Sequence, residues 1–281
     1  MNHLFCFGFG FSASTLAARL APKGWKITGT SRSEAGAGAI RAKGFDAHVF
    51  DGSKSLPLGA LDGVTHLVIS APPSDAGDPV LRVMGDEIAA RAAQFTWAAY
   101  LSTTGVYGDH QGGWVDEAAP LQPAGVRGQR RVDAEAAWMA IPGLAVHLFR
   151  LAGIYGPGRN AIVSLREGSA RRVVKQGQVF SRIHVEDIAG VLEASMAHPS
   201  PGRAYNVCDD EPCPPQDVIS YAARLIGVEP PPLEDFETAE LSPMAKSFYG
   251  ESKRVSNARV KRELGYRFVY PSFREGLAGL V

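Results

Sequence analysis

Residues 3–24 confine what this chain can become. His3-Leu4-Phe5-Cys6-Phe7 is a short, mostly apolar run of strand length, and Gly8-Phe9-Gly10-Phe11-Ser12-Ala13 follows it at once. An Ala- and Leu-rich stretch over 12–21 then shows helical spacing and stops at Pro22 and Gly24. In this order of strand, glycine turn and helix, each small residue has a task. Gly8 allows a tight turn, Gly10 lets a bound group approach the backbone, and Ala13 keeps the helix close to the strand.

The amides that open such a helix face outward and favour an anion. The spacing fits G-x-G-x-x-G/A, the turn that receives the pyrophosphate of a dinucleotide, and so makes Gly8, Gly10, Phe11 and Ser12 candidate cofactor-binding residues. Further along, strands are predicted over 25–30, 47–50, 66–70, 97–102 and 145–151, with helices over 35–43, 79–93 and 129–140. Such alternation demands a parallel sheet with crossover helices on both faces, which is an α/β, Rossmann-type doubly wound fold of six strands.

Beyond residue 157 the alternation weakens. Helices are expected over 161–167, 186–197 and 215–226, strands over 173–175 and 204–207, and an extended link over 230–232, with 229–248 ambiguous. The expected division is a dinucleotide-binding domain over 1–160 and a smaller substrate lobe over 161–281. Helix 186–197 is expected to pack back on the first domain, and the site to lie at the carboxyl edge of the sheet between the two.

The second strand should end in an acid if the ligand were NAD, because a carboxylate grips the ribose 2′-hydroxyl. The chain reads Thr30-Ser31-Arg32-Ser33 instead, and Ser31 with Arg32 suits a 2′-phosphate. NADP is therefore the expected cofactor, with NAD as the alternative; the plainer reading of Arg32 is a solvated surface cation. Asp51 stands where it accepts from the adenine amine or caps its own turn with Gly52, and Ser70, Ala71 and Pro72 form a small-residue wall beside the cofactor.

Composition narrows the remaining classes. Lys plus Arg equals Asp plus Glu at 29 each, so no basic field exists of the kind nucleic acid requires. Three cysteines make no disulfide framework, and no Cys-x-x-Cys pair or His pair has metal-binding spacing, so no metal is expected. The uncharged run over 4–18 contains two glycines, has no Lys or Arg before it, and is shorter than the roughly 17 to 25 residues that span a bilayer. The expectation is a cytoplasmic protein with no membrane or nucleic-acid partner, a small-molecule substrate and a possible homodimeric state.

Four further segments give the chain a family likeness. Leu101-Ser102-Thr103-Thr104-Gly105-Val106-Tyr107-Gly108, with Glu117 and Pro120, resembles the strand-five motif of the extended short-chain dehydrogenase/reductases, the NAD-dependent epimerase/dehydratase family. Arg150 to Gly158 resembles their strand-six stretch and the loop over the nicotinamide. Ile183-His184-Val185-Glu186-Asp187-Ile188-Ala189 resembles the start of the helix that returns to the sheet, and the expected helix over 257–266 with its Leu264-Gly265 end fits as well.

The resemblance implies that Thr103 is the catalytic Ser/Thr hydroxyl and that Ser102 lies beside the cofactor. It also implies a Tyr-x-x-x-Lys pair, and that pair is absent: Arg127 and Arg131 stand at its two positions. An arginine exchanges no proton near neutral pH. Thr104 and Gly105 replace the Asp-Glu dyad of the dehydratases, and Tyr107 is the nearest other phenol, either an acid or a structural residue. Phe180 stands at the position of the family's phosphate-gripping arginine, with Arg182 offset from it. Arg127, Arg159 and Arg182 are candidate substrate-binding residues; the alternative for the arginines of 127–131 is pairing with Asp133 and Glu135 on a solvated helix face. His184 is expected to brace the lobe and Asp187 to cap its helix. The expected function is an NADP-dependent oxidoreductase or epimerase-like enzyme on a small polar carbonyl or alcohol. The alternative is a dinucleotide-binding sensor that has lost hydride chemistry.

Overall fold

The computed structural model describes Met1–Val281, apart from the side chain of Met244. In chain order the elements are β1 (His3–Phe7), α1 (Phe11–Leu20), β2 (Lys26–Ser31), α2 (Glu34–Arg41), β3 (Asp46–Val49), β4 (His66–Ile69), α3 (Pro79–Ala90) and β5 (Trp97–Thr103). Then come β6 (Trp114–Val115), α4 (Val126–Met139), β7 (Val146–Leu151), β8 (Gly153–Tyr155), α5 (Ala161–Arg166), β9 (Arg172–Val174), β10 (Arg182–His184) and α6 (Val185–Ala197). β11 (Ala204–Val207), α7 (Pro215–Leu225), β12 (Leu233–Asp235), α8 (Pro243–Tyr249), β13 (Arg254–Val255), α9 (Ala258–Leu264) and α10 (Phe273–Ala278) complete the chain.

The main sheet has seven strands in the order β11-β7-β5-β4-β1-β2-β3. β1 runs parallel to both β2 and β4, with Phe5 opposite Thr28 on one side and Leu67 on the other. The chain winds outward from β1 to β3, then returns past β1 to β4 and β5, so the strand order reverses between β1 and β4. In an open α/β sheet the crevice beyond the carboxyl ends at that reversal receives ligands. The seventh strand, β11, corrects the six-strand expectation. Its segment is visible in the sequence, but it reaches the sheet edge only after a long excursion, which sequence order does not announce.

The sequential division into a larger and a smaller part is replaced by an interleaved one. The first unit is Met1–Thr103, Arg130–Arg150 and Ala189–Tyr205; the second is Thr104–Gln129, Leu151–Ile188 and Asn206–Val281, and the two are nearly equal in length. The first unit is built on the sheet. Strands such as β4 and β7 are buried at every residue, as the continuous apolar runs of a two-sided sheet require. Phe5, Phe7, Leu67, Ile69, Met84, Ile88, Tyr100 and Trp138 form its central cluster, each large apolar side chain stabilising by roughly 1.5 to 3 kcal/mol. Asp78 ties two of its helices together: Oδ1 accepts from the amides of Val80 and Leu81 at the start of α3, and Oδ2 accepts from Trp138 Nε1 of α4 at 3.1 Å.

The second unit holds three two-stranded parallel pairs, β8 with β10, β9 with β12, and β6 with β13. A separate cluster includes Tyr155, Ile162, Cys213, Val218, Ala222, Phe273 and Leu277. The ambiguous stretch over 229–248 resolves into β12 and the start of α8. Cys6, Cys208 and Cys213 are buried and unpaired. No helix among the described residues is long and apolar enough to cross a membrane.

One buried acid in this unit sets a pH dependence. Asp209 is 1% exposed; its Oδ1 accepts from the Glu211 amide at 3.2 Å, and among the described residues its Oδ2 has no hydrogen-bond partner. Burial pushes the carboxyl up to about 8, against the pull of that amide and of Arg182 and with the push of Asp210 and Glu211. The folded state thus holds a proton that the unfolded chain releases near 4, so this group's contribution is present at acid pH and is lost as pH rises from about 4 to about 8. Asp209→Asn removes the ionisation. Calorimetric melting from pH 5 to 9 is expected to show the variant gaining on the wild type as pH rises, by a few kcal/mol at the alkaline end. A difference constant with pH would contradict this.

Candidate functional site

In the first unit the glycine turn lies at the carboxyl end of β1. Gly8 takes φ +88°, donates its amide to Thr30 Oγ1 at 2.8 Å and accepts from Ser70 Oγ at 2.8 Å. A Cβ there would stand 2.7 Å from Ser70 Oγ and 3.2 Å from the Ala71 nitrogen, so the turn is wedged between the ends of β2 and β4. Phe9 folds its ring over Gly29 of β2 and against Phe45, with centroids 5.6 Å apart.

Gly10 is different in kind. It is exposed, caps α1 in an extended conformation without a side-chain hydrogen bond, and a Cβ built on it meets nothing within 4 Å. No acidic residue stands in the first turn of α1, and the hydroxyls of Ser14 and Thr15 both donate back to the Phe11 carbonyl at 3.0 Å. Phe11 is half-buried and Ser12 buried at the opening of the helix. The positive end of α1 thus faces a space that a Cβ would fill and that no side chain uses, and the residues fit a diphosphate.

At the end of β2, Ser31 lies over Gly36 of α2, and Ser33 is the N-cap of α2, accepting from the Gly36 amide at 3.2 Å. Arg32 between them is exposed, and among the described residues its guanidinium has no hydrogen-bond or ion-pair partner. Asp51 caps its own turn through Ser53 rather than Gly52. Its Oδ1 accepts from the Ser53 amide at 2.8 Å and hydroxyl at 2.6 Å, which hold the exposed carboxyl below its usual range. Ala71 is half-buried with its amide on the Phe7 carbonyl, and Pro72 beyond it is exposed.

Ser102 is turned away from the role expected of it. Its hydroxyl donates inward to Glu135 Oε1 at 2.5 Å, and Glu135 is held by Arg150, whose Nη2 donates to Oε2 at 2.7 Å. Ser102, Glu135 and Arg150 are 4%, 3% and 5% exposed. The solvated face expected for Arg131 and Glu135 is corrected with it, and Arg130 keeps a surface pair with another partner. Arg130 pairs with Asp75, while Arg131 Nη1 donates to the Leu101 carbonyl at 2.7 Å and to the Tyr100 hydroxyl at 3.2 Å. The signal for this was Arg150 itself: a charge inside a strand buried at all six residues demands a buried counter-charge. Thr103, half-buried, is the last residue of β5.

The second unit holds the other predicted residues. Tyr107 is 0% exposed and donates its phenol to Asn206 Oδ1 at 2.7 Å. The same Asn206 gives its amide to Glu117 Oε1 at 2.8 Å and its side-chain nitrogen to the Ser256 carbonyl at 3.2 Å. Tyr107 therefore belongs to a buried polar network and presents no proton to an open surface, which corrects its candidacy as an acid. Arg127 is exposed in the first turn of α4, Arg159 is exposed in a turn closed by two backbone hydrogen bonds with Gly156, and neither guanidinium has a partner among the described residues. Arg182 is partly spent: Nη1 donates to the carbonyls of Phe180 at 3.0 Å and Cys213 at 3.3 Å.

His184 is 1% exposed between Tyr155 and Tyr270, with ring centroids 5.1 and 4.1 Å away, and burial lowers its pKa to about 4, so it is a neutral brace. Asp187 does not cap α6. It accepts from the Tyr266 hydroxyl at 2.8 Å and from the amides of Val269 at 2.7 Å and Tyr270 at 3.0 Å, pinning the 266–270 loop.

No family model matches the chain. Protein YeeZ of Escherichia coli K12 is 30% identical over 276 residues, covering 94% of each chain. A conserved protein of unknown function from Silicibacter pomeroyi, of solved structure, is 58% identical with a TM-score of 0.95, over 100% of this chain and 98% of that one. A dTDP-glucose 4,6-dehydratase of Bacillus anthracis, solved in complex with NAD, shares the fold at 18% identity and a TM-score of 0.80, over 100% and 95%. The chain has the fold of the NAD-dependent epimerase/dehydratases, with the glycine turn at 8–13 and arginines at 127 and 131, and it belongs to the family of protein YeeZ.

Proposed function

We propose that the protein binds a nicotinamide dinucleotide, NADP in preference to NAD, and acts as an oxidoreductase or epimerase-like enzyme on a small polar carbonyl or alcohol. The observation that carries this reading is the open space in front of Gly10 at the uncapped start of α1. The amides of Phe11 and Ser12 would meet the pyrophosphate, and Ser70 and Ala71 would wall the cofactor. Arg32, which has no partner among the described residues, would meet the 2′-phosphate. Bound there, a nicotinamide supplies the hydride donor or acceptor.

Thr103 hydrogen-bonds the substrate oxygen in this reading. In the second unit, Arg127 and Arg159 are exposed cations without a partner among the described residues, and cations of that kind favour an anionic substrate. The proton must come from water or the substrate, because neither Arg127 nor Arg131 exchanges one. A second reading, a dinucleotide-binding protein without hydride transfer, is favoured by a specific observation: Arg131, at the position of the family's lysine, is spent on the Leu101 carbonyl. Hydride exchange with anionic carbonyl compounds separates the two. Under the first reading Thr103→Val lowers the rate, and under the second no exchange is seen.

Titration calorimetry tests the cofactor assignment. NADPH is expected to bind about ten- to a hundredfold more tightly than NADH, as one charge-assisted contact of ~1.5 to 3 kcal/mol implies. Arg32→Ala should erase that preference, and equal wild-type affinities would contradict it. A Cβ at position 10 meets nothing within 4 Å, so the circular dichroism spectrum of Gly10→Val should match the wild type while dinucleotide binding is abolished. Undiminished binding would mean that the turn is only a turn.

A further inference from the structure

The carboxyl end of β5 is gripped at two consecutive residues by one face of α4. Arg131 Nη1 donates to the Leu101 carbonyl at 2.7 Å, and the Ser102 hydroxyl donates to Glu135 at 2.5 Å. Arg131 and Glu135 are four positions apart and so lie on the same side of the helix. Arg150 of β7 holds Glu135 by reaching both carboxylate oxygens, Nε to Oε1 at 3.2 Å and Nη2 to Oε2 at 2.7 Å.

A buried ion pair is a poor device for stability alone, since apolar side chains of equal volume serve as well or better. Here the pair has a third member, and that member is the neighbour of Thr103. Successive side chains of a strand alternate between its faces. Fixing the Leu101 carbonyl and drawing the Ser102 hydroxyl toward α4 therefore sets where Thr103, the last residue of the strand, presents its own side chain.

We propose that Glu135 is a positioning residue: clamped by Arg150, it holds Ser102 inward and thereby aims Thr103 at the nicotinamide end of the dinucleotide site. The inference rests on the proposed cofactor reading. Thr103 ends a strand two places from the β1–β4 reversal, and a dinucleotide whose 2′-phosphate lies at β2 extends across that reversal toward β4 and β5.

The test uses the whole protein with NADPH as probe, reading calorimetric affinity and the emission of the bound reduced nicotinamide. Ser102→Ala removes the tether and leaves the ion pair intact. The double variant Glu135→Gln with Arg150→Met removes the charge pair without leaving a charge buried alone. In both, NADPH affinity is expected to stay within about threefold of wild type, while the emission change on binding falls by at least half; Ser102→Thr, which keeps the hydroxyl, restores it. Wild-type emission in Ser102→Ala and in the double variant would overturn the positioning role and leave the cofactor reading standing. A wild-type protein that binds no NADPH would overturn the reading and the inference together.

Discussion

The turn at Gly8 is the constraint on which the rest of the first unit depends. Its positive φ and its two hydrogen bonds, to Thr30 Oγ1 and from Ser70 Oγ, join the carboxyl ends of β1, β2 and β4 at one point. A side chain there would collide with Ser70, so the three strand ends meet only around glycine. Because the turn is fixed, α1 begins where it does, with Gly10 open and its amides uncapped. The candidate site is thus a consequence of how the sheet closes on itself at the point where the winding reverses.

The second organising device is the face of α4. In the extended short-chain dehydrogenase/reductases that the sequence resembles, that stretch carries the Tyr-x-x-x-Lys pair; here it carries a staple. Arg131 takes a backbone carbonyl, Glu135 takes Ser102 and Arg150, and Trp138 reaches Asp78 at the head of α3. Each contact is internal to the first unit. The arginines at 127 and 131 are therefore not a gap in the helix but a different use of it, and this is why the glycine turn and α4 give such different impressions of the same chain.

Much of this was legible in the residues. The glycine turn, the alternation of strands and helices, and the segments around 101–108, 150–158 and 183–189 give the fold and the family, because each depends on local spacing. The misses share a physical cause. Ser102, Glu135 and Arg150 form one network across 33 and 15 positions, and no local pattern tells an inward-turned hydroxyl from one that faces a ligand. Asp187 reads as a helix cap from its place at the start of α6, yet its acceptors serve backbone eighty positions away. Tyr107 was ambiguous for the same reason, and only its burial and its bond to Asn206 resolve it. The interleaved units likewise follow from long-range packing, not from composition shifts along the chain.

The central claim is that the space at Gly10 and the cation at Arg32 together receive a phosphorylated dinucleotide. The most direct measurement is a crystal structure of the protein grown with NADPH. The account predicts the pyrophosphate on the first-turn amides of α1, within hydrogen-bond reach of Phe11 and Ser12, and the 2′-phosphate on the Arg32 guanidinium. A dinucleotide bound elsewhere, or a glycine turn left empty at saturating cofactor, would contradict it.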